Sequence, residues 1–177
     1  VLVMNQYIKS LKNQDKLKIA IDKNIDFKWS YKKIAGPCSV EGPNIVEIAK
    51  NIKNCGADAF RAGAYKPCTF PVRSEKNGWK EGLKERGLEL LKEAKAKSGL
   101  PIVTEVMDPR KIDEVNGIAD VIQVGTRNFQ NYTLLDELGK TNFPILLKRG
   151  TWATLDEILG ACERILNGGN KNIAICL

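Results

Sequence analysis

The sequence contains no histidine, so the commonest metal ligand and the commonest general base near neutral pH are both missing. No apolar run approaches the roughly 18 residues that a transmembrane helix needs, which excludes such a span. No basic-then-apolar leader opens the chain: Val1-Leu2-Val3-Met4 is followed at once by Asn5-Gln6. The five cysteines (Cys38, Cys55, Cys68, Cys162, Cys176) are odd in number, irregularly spaced and without a CxxC pair. These absences predict reduced thiols in a cytoplasmic protein rather than a disulfide framework. Like charges never run to five or six in a row, although 28 Lys and Arg against 21 Asp and Glu give a net charge of +7. A dispersed basic excess lacks the clustered stripe of a nucleic-acid surface and suits small anionic ligands better. Neither a GxGxxG loop nor a P-loop is present, so any phosphate must be held by side chains and loop amides. Internal repeats and low-complexity tracts are also missing.

What remains is an ordinary globular composition, 43% hydrophobic and 28% charged, over 177 residues, which predicts one domain. From residue 34 two periods alternate. Short β-rich runs fall at Ile34–Ser39, Asp58–Tyr65, Ile102–Asp108, Asp120–Gly125, Ile145–Gly150 and Asn172–Leu177. Between them, Ile45, Ile48, Ala49, Ile52 and Cys55 mark one helical face, and Leu83, Leu88, Leu90, Leu91 and Ala94 a second. Leu155, Ile158, Leu159, Cys162 and Ile165 mark a third, with shorter helices at Pro109–Val115 and Asn131–Leu138. Cys55, Cys162 and Cys176 are expected in the core. Gly56, Gly99, Gly117 and Gly139 each close a helical run, where a left-handed residue is wanted. Nearly continuous apolar strands alternating with helices predict an α/β fold with a parallel sheet. Residues 1–33 read as an N-terminal extension with an amphipathic helix near Met4–Leu17.

In a parallel α/β barrel the chemistry gathers at the C-terminal ends of the strands. Here those ends carry Arg61, Lys66, Arg127, Lys148 and Arg149, with Glu105 and Asp108 beside them. Convergent cations repel one another, and an anionic ligand removes that cost. Trp79 and Trp152 are placed to cover apolar surface beside the same mouth.

Five segments in order carry a family resemblance: IAGPCSVE (34–41), RAGAYKPCT (61–69), TEVMDP (104–109), IQVGTRNFQN (122–131) and LLKRGTWAT (146–154). They resemble the 3-deoxy-arabino-heptulosonate 7-phosphate (DAHP) synthases, within the superfamily that also makes 3-deoxy-octulosonate 8-phosphate. The resemblance implies a (β/α)8 TIM barrel, of which about six βα units lie in residues 34–177. It implies condensation of phosphoenolpyruvate with erythrose 4-phosphate and release of phosphate, the first step of the shikimate pathway. Carried over by position, Arg61, Lys66, Arg127 and Lys148 would hold phosphoenolpyruvate, with Lys66 also near the reacting carbons. Thr69 would help hold the aldose phosphate and Glu105 would help order the water network. Cys38 would be a thiolate ligand of a divalent ion such as Mn²⁺, Fe²⁺ or Zn²⁺, acting as a Lewis acid.

Two departures qualify these implications. The loop lysine is followed in the family by Pro-Arg-Thr, and here Cys68 stands in place of the arginine. The family's remaining metal ligands, one of them a histidine, come from its seventh and eighth strands. These 177 residues by themselves are therefore expected not to catalyse the reaction efficiently. Two other readings stay open: a non-catalytic partial barrel that binds phosphoenolpyruvate or phosphate, and the octulosonate synthase. An open sheet with two edge strands also predicts a homo-oligomer.

Overall fold

The computed structural model describes residues 20–22, 25–26, 33–70 and 81–177. The expected Met4–Leu17 helix and Trp79 lie outside these residues. A two-stranded antiparallel ribbon, β1 (Ala20–Asp22) with β2 (Ile25–Asp26), was not expected in the N-terminal extension.

Six parallel strands follow in strict sequence order across one sheet. They are β3 (Ile34–Ala35), β4 (Ala59–Arg61), β5 (Ile102–Glu105), β6 (Val121–Val124), β7 (Ile145–Lys148) and β8 (Ile173–Cys176). Sequential order with a helical crossover at each step is the topology of the TIM barrel, here represented by six of its units. All six expected strands are present but shorter than the apolar runs. The first stops at Ala35 because the chain bends at Gly36 (φ 152°), where a Cβ would stand 1.9 Å from the Arg61 carbonyl oxygen. A single bridge between Ser39 and Gly63 then resumes the pairing.

Among the described residues five helices connect the strands: α1 (Ile45–Asn54), α2 (Lys84–Ser98), α3 (Ile112–Val115), α4 (Tyr132–Gly139) and α5 (Leu155–Asn167). The expected Pro109–Val115 helix divides into a 3₁₀ turn, Pro109–Lys111, and α3. Asn131 caps α4 by accepting from the Leu134 N–H, and Thr154 with Glu157 forms a capping box on α5. No helix among the described residues is long and apolar enough to cross a membrane.

Alternation along the strands sorts the residues into two layers. Phe60, Ile102, Ile122, Ile145 and Leu147 face outwards and join the core between sheet and helices. Ala59, Val103 and Val121, with Ile34 and Leu146 against them, form a smaller cluster inside the sheet's curve. Arg61, Glu105, Gln123 and Lys148 are each two residues further along the same inner face.

Four expectations need correction here. Cys55 is exposed because the helix ends at Asn54 and leaves it in the cap. Cys176 is only half-buried, since β8 is an edge strand. Leu155 is 53% exposed, being the first residue of α5, where the helix has not yet reached the sheet. Gly139 is not a left-handed cap but the last residue of α4. Its missing side chain instead lets two helices meet, since a Cβ there would lie 2.8 Å from the Ile165 carbonyl oxygen and 3.2 Å from Gly168 Cα. Gly56, Gly99 and Gly117 do take positive φ, and Cys162 is buried.

Candidate active site

The inner-face layer above the apolar cluster is polar, and its members hold one another. Lys66 donates from Nζ to Glu105 Oε2, an ion pair whose side chains are only 14% and 2% exposed. The same Oε2 accepts from Gln123 Nε2 at 3.1 Å. Gln123 Oε1 in turn accepts from Arg61 Nε at 3.1 Å, and Arg61 Nη1 reaches the Pro37 carbonyl at 3.5 Å. A buried carboxylate without partners would be strongly disfavoured, and here two donors satisfy one of its oxygens.

Glycines give these groups room. A Cβ at Gly63 would fall 2.2 Å from Lys66 Cδ, and one at Gly125 only 2.1 Å from Glu105 Oε1. Any side chain at either position would displace the Lys66–Glu105 pair.

A cavity of about 300 Å³ opens over this network, lined by Arg61, Lys66, Glu105, Gln123, Arg127 and Lys148 among others. Trp152 forms part of its wall, 62% exposed, with its ring 6.2 Å from that of Phe129. A second cavity of about 540 Å³ adjoins it, sharing Lys66, Pro67 and Arg127 and adding Cys38, Glu41, Cys68 and Thr69. Arg127 stands between the two, its Nη1 donating to the Pro67 carbonyl and its Nη2 to Thr69 Oγ1, each at 2.9 Å.

All seven expected site residues thus line two adjoining cavities. Arg149 and Asp108 do not line the mouth as expected. Arg149 donates from Nε (3.0 Å) and Nη2 (2.6 Å) to the Ala153 carbonyl, which fixes the turn before α5. Asp108 caps the 3₁₀ turn by accepting from the Arg110 N–H, and its carboxylate pairs with the Arg110 guanidinium. That hydrogen bond holds the Asp108 carboxyl down at about 2. Gln123 was missed, although a lone amide at an inward position of the run Val121–Val124 is itself a signal.

A divalent ion does not fit the described residues alone. They contain no group of three His, Cys, Asp or Glu side chains placed to hold a metal. Cys38 is exposed, and nearby Glu41 accepts from Ser39 Oγ at 2.7 Å.

Comparison with known proteins decides the lineage. A model of the DAHP synthetase I family matches residues 30–177. The chain belongs to that family. It is 44% identical over 144 residues to the phospho-2-dehydro-3-deoxyheptonate aldolase of Thermotoga maritima, covering 81% of this chain and 41% of the relative. A crystal structure of a DAHP synthase from Thermotoga maritima superposes with a TM-score of 0.76 at 42% identity. That superposition covers 87% of this chain and 43% of the other. A truncated form of the Thermotoga enzyme gives 0.73 at 40% identity, over 87% and 54% of the two chains. The 2-dehydro-3-deoxyphosphooctonate aldolase of Desulfatibacillum aliphaticivorans is more distant, 27% identical over 80% of this chain and 53% of its own. The chain therefore spans about half the length of the relatives it matches, and DAHP synthase is nearer to it than the octulosonate enzyme.

Proposed function

We propose that residues 34–177 form the phosphoenolpyruvate-binding portion of a DAHP synthase barrel, with residues 1–33 as its N-terminal extension. The observation that carries this reading is the convergence of Arg61, Lys66, Arg127 and Lys148 on one cavity whose floor is the Glu105–Gln123 network. A small ligand with a phosphate and a carboxylate needs several cations held in place before it arrives. Arg61 is pre-set by Gln123 and Lys66 by Glu105, so neither spends side-chain freedom on binding.

In the proposed reaction C3 of phosphoenolpyruvate attacks the aldehyde carbon of erythrose 4-phosphate, water adds at C2 and inorganic phosphate leaves. Arg61, Arg127 and Lys148 neutralise the phosphate and carboxylate. Lys66 stands over the reacting carbons as a proton carrier, and Glu105 orders the attacking water. The adjoining cavity receives the aldose, with Thr69 on its phosphate. Cys68 offers that phosphate no charge, which weakens aldose binding by about 1.5–3 kcal/mol relative to a charge-assisted contact. Cys38 is assigned as one thiolate ligand of a divalent ion whose other donors the described residues do not supply. The 177 residues by themselves therefore bind phosphoenolpyruvate without turning it over. The protein is read as cytoplasmic and homo-oligomeric.

The test is a titration of the purified 177-residue chain with phosphoenolpyruvate, followed through tryptophan fluorescence. Loss of the enol absorbance is then monitored with erythrose 4-phosphate and Mn²⁺ added. Saturable binding without turnover is expected. Absence of binding refutes the cradle, and turnover refutes the claim that further donors are needed.

A further inference from the structure

We infer that Tyr65 is a positioning residue for Lys66: its hydroxyl, anchored outside the barrel, fixes the backbone that aims the Lys66 ammonium at Glu105. The inference rests on the placement of Lys66 in the phosphoenolpyruvate cradle.

Lys66 enters the barrel, where it pairs with Glu105, whereas the ring of Tyr65 joins the core between sheet and helices and is only 8% exposed. Its hydroxyl donates to Glu114 Oε2 at 2.7 Å, with Glu85 Oε1 at 3.3 Å. Lys111 Nζ ties these two carboxylates together, 2.6 Å from Glu114 Oε1 and 3.1 Å from Glu85 Oε1, and sits 5.7 Å from the centre of the Tyr65 ring. Glu85 belongs to the first turn of α2, Glu114 to α3 and Lys111 to the 3₁₀ turn, so one phenol joins the loop after β4 to three other elements.

The neighbouring backbone is held as well. The Ala64 N–H donates to Thr104 Oγ1 (3.3 Å), the Lys66 N–H to the Glu81 carbonyl (2.7 Å) and the Lys84 N–H to the Ala64 carbonyl (2.9 Å). These bonds set the path of the main chain, and Tyr65 stops it from rotating about that path. Burial, and then Glu114, push the phenol well above its ordinary value, so it remains a donor at every physiological pH.

The experiment uses the 177-residue chain grown with [ε-¹³C]lysine, the Lys66 signal being assigned by its loss in Lys66→Arg. In the native chain that signal stands apart from those of the surface lysines. In Tyr65→Phe it moves towards them, and the phosphoenolpyruvate dissociation constant rises about tenfold, the usual weight of one hydrogen bond to a charged group. Glu114→Gln keeps an acceptor and stays within about threefold. Leu138→Ala, a core change remote from the cluster, lowers stability and leaves the Lys66 signal in place. An unmoved Lys66 signal in a folded Tyr65→Phe overturns the inference, and so does an equal displacement in Leu138→Ala. Should Tyr65→Phe fail to fold, Glu114→Ala carries the same expectation and the same refutation. If the native chain does not bind phosphoenolpyruvate, the cradle reading falls, while the Lys66 signal still decides the role of Tyr65.

Discussion

Between β4 and β7 four charged or amide side chains are held on one another inside the barrel, whereas beside β3 the Cys38 thiol stands exposed with Glu41 engaged by Ser39. The first region is organised before any ligand arrives, because three of its four members are placed by the register of neighbouring strands, Arg61 beside Val103 and Glu105 beside Gln123. Lys66 is held from the loop after β4 by its pair with Glu105. In the second region the strand is interrupted after Ala35, and although the Cys38 carbonyl accepts from the Gly63 N–H, its thiol stays exposed. Preorganisation within this stretch thus belongs to the proposed anion cradle and not to the Cys38 thiol, and the two should respond differently to mutation.

The hardest blow to the first region is Lys66→Met, which leaves Glu105 buried without its cation. Removing one partner of a buried pair costs about 3 kcal/mol or more, so urea unfolding should shift by that amount. The double change Lys66→Met with Glu105→Leu should recover most of the stability and none of the phosphoenolpyruvate affinity. Equal stability of the single and double variants would show that the pair is not buried as described. Next, Lys148→Ala should weaken phosphoenolpyruvate binding by about tenfold to a hundredfold in a titration while barely moving the urea midpoint. An unchanged affinity would remove Lys148 from the cradle.

Gln123→Leu should lose about tenfold in affinity, because Arg61 Nε and Glu105 Oε2 both lose a partner. A smaller loss than in a Thr126→Ala control would deny Gln123 its bridging role. In the second region Cys38→Ser should change the stability of this chain by no more than about 0.5 kcal/mol, as for an exposed position without partners in the core. A large loss in urea unfolding would mean that the thiol is already engaged.

The smallest effect belongs to Asp108→Asn. Its carboxyl is depressed from 3.8 to about 2, so its contribution is complete above the unfolded value and is lost as pH falls through about 2. Melting curves of the native chain and the variant should keep a constant offset above pH 4 and converge below it, with no change in phosphoenolpyruvate affinity. A variant that loses affinity would return Asp108 to the mouth.

The strands and the inner position of Arg61, Glu105 and Lys148 were legible because period-2 alternation carries through each apolar run to its polar end. Arg149 and Asp108 were misplaced for the same reason: they come after the strand has ended, where alternation no longer says which way a side chain faces. Gln123 was passed over because a neutral amide gives no charge signal, although its parity with Val121 puts it on the inner face. Cys55 and Leu155 show the matching limit for helices, since a helical stripe is informative only between the caps.

The sequence by itself determined the order of strands and helices, the parallel barrel topology, the family and the group of cations at the strand ends. These depend on local periodicity and on segment identity, which no tertiary contact can alter. Only the tertiary structure decided which of those cations share a cavity and which are spent on local backbone. It also revealed that Glu105 and Gln123 link two of the cations, and that glycines at 63 and 125 make room for Lys66 and Glu105. Those outcomes depend on distances between side chains that are 18 to 62 residues apart in the chain, which strand register and packing set.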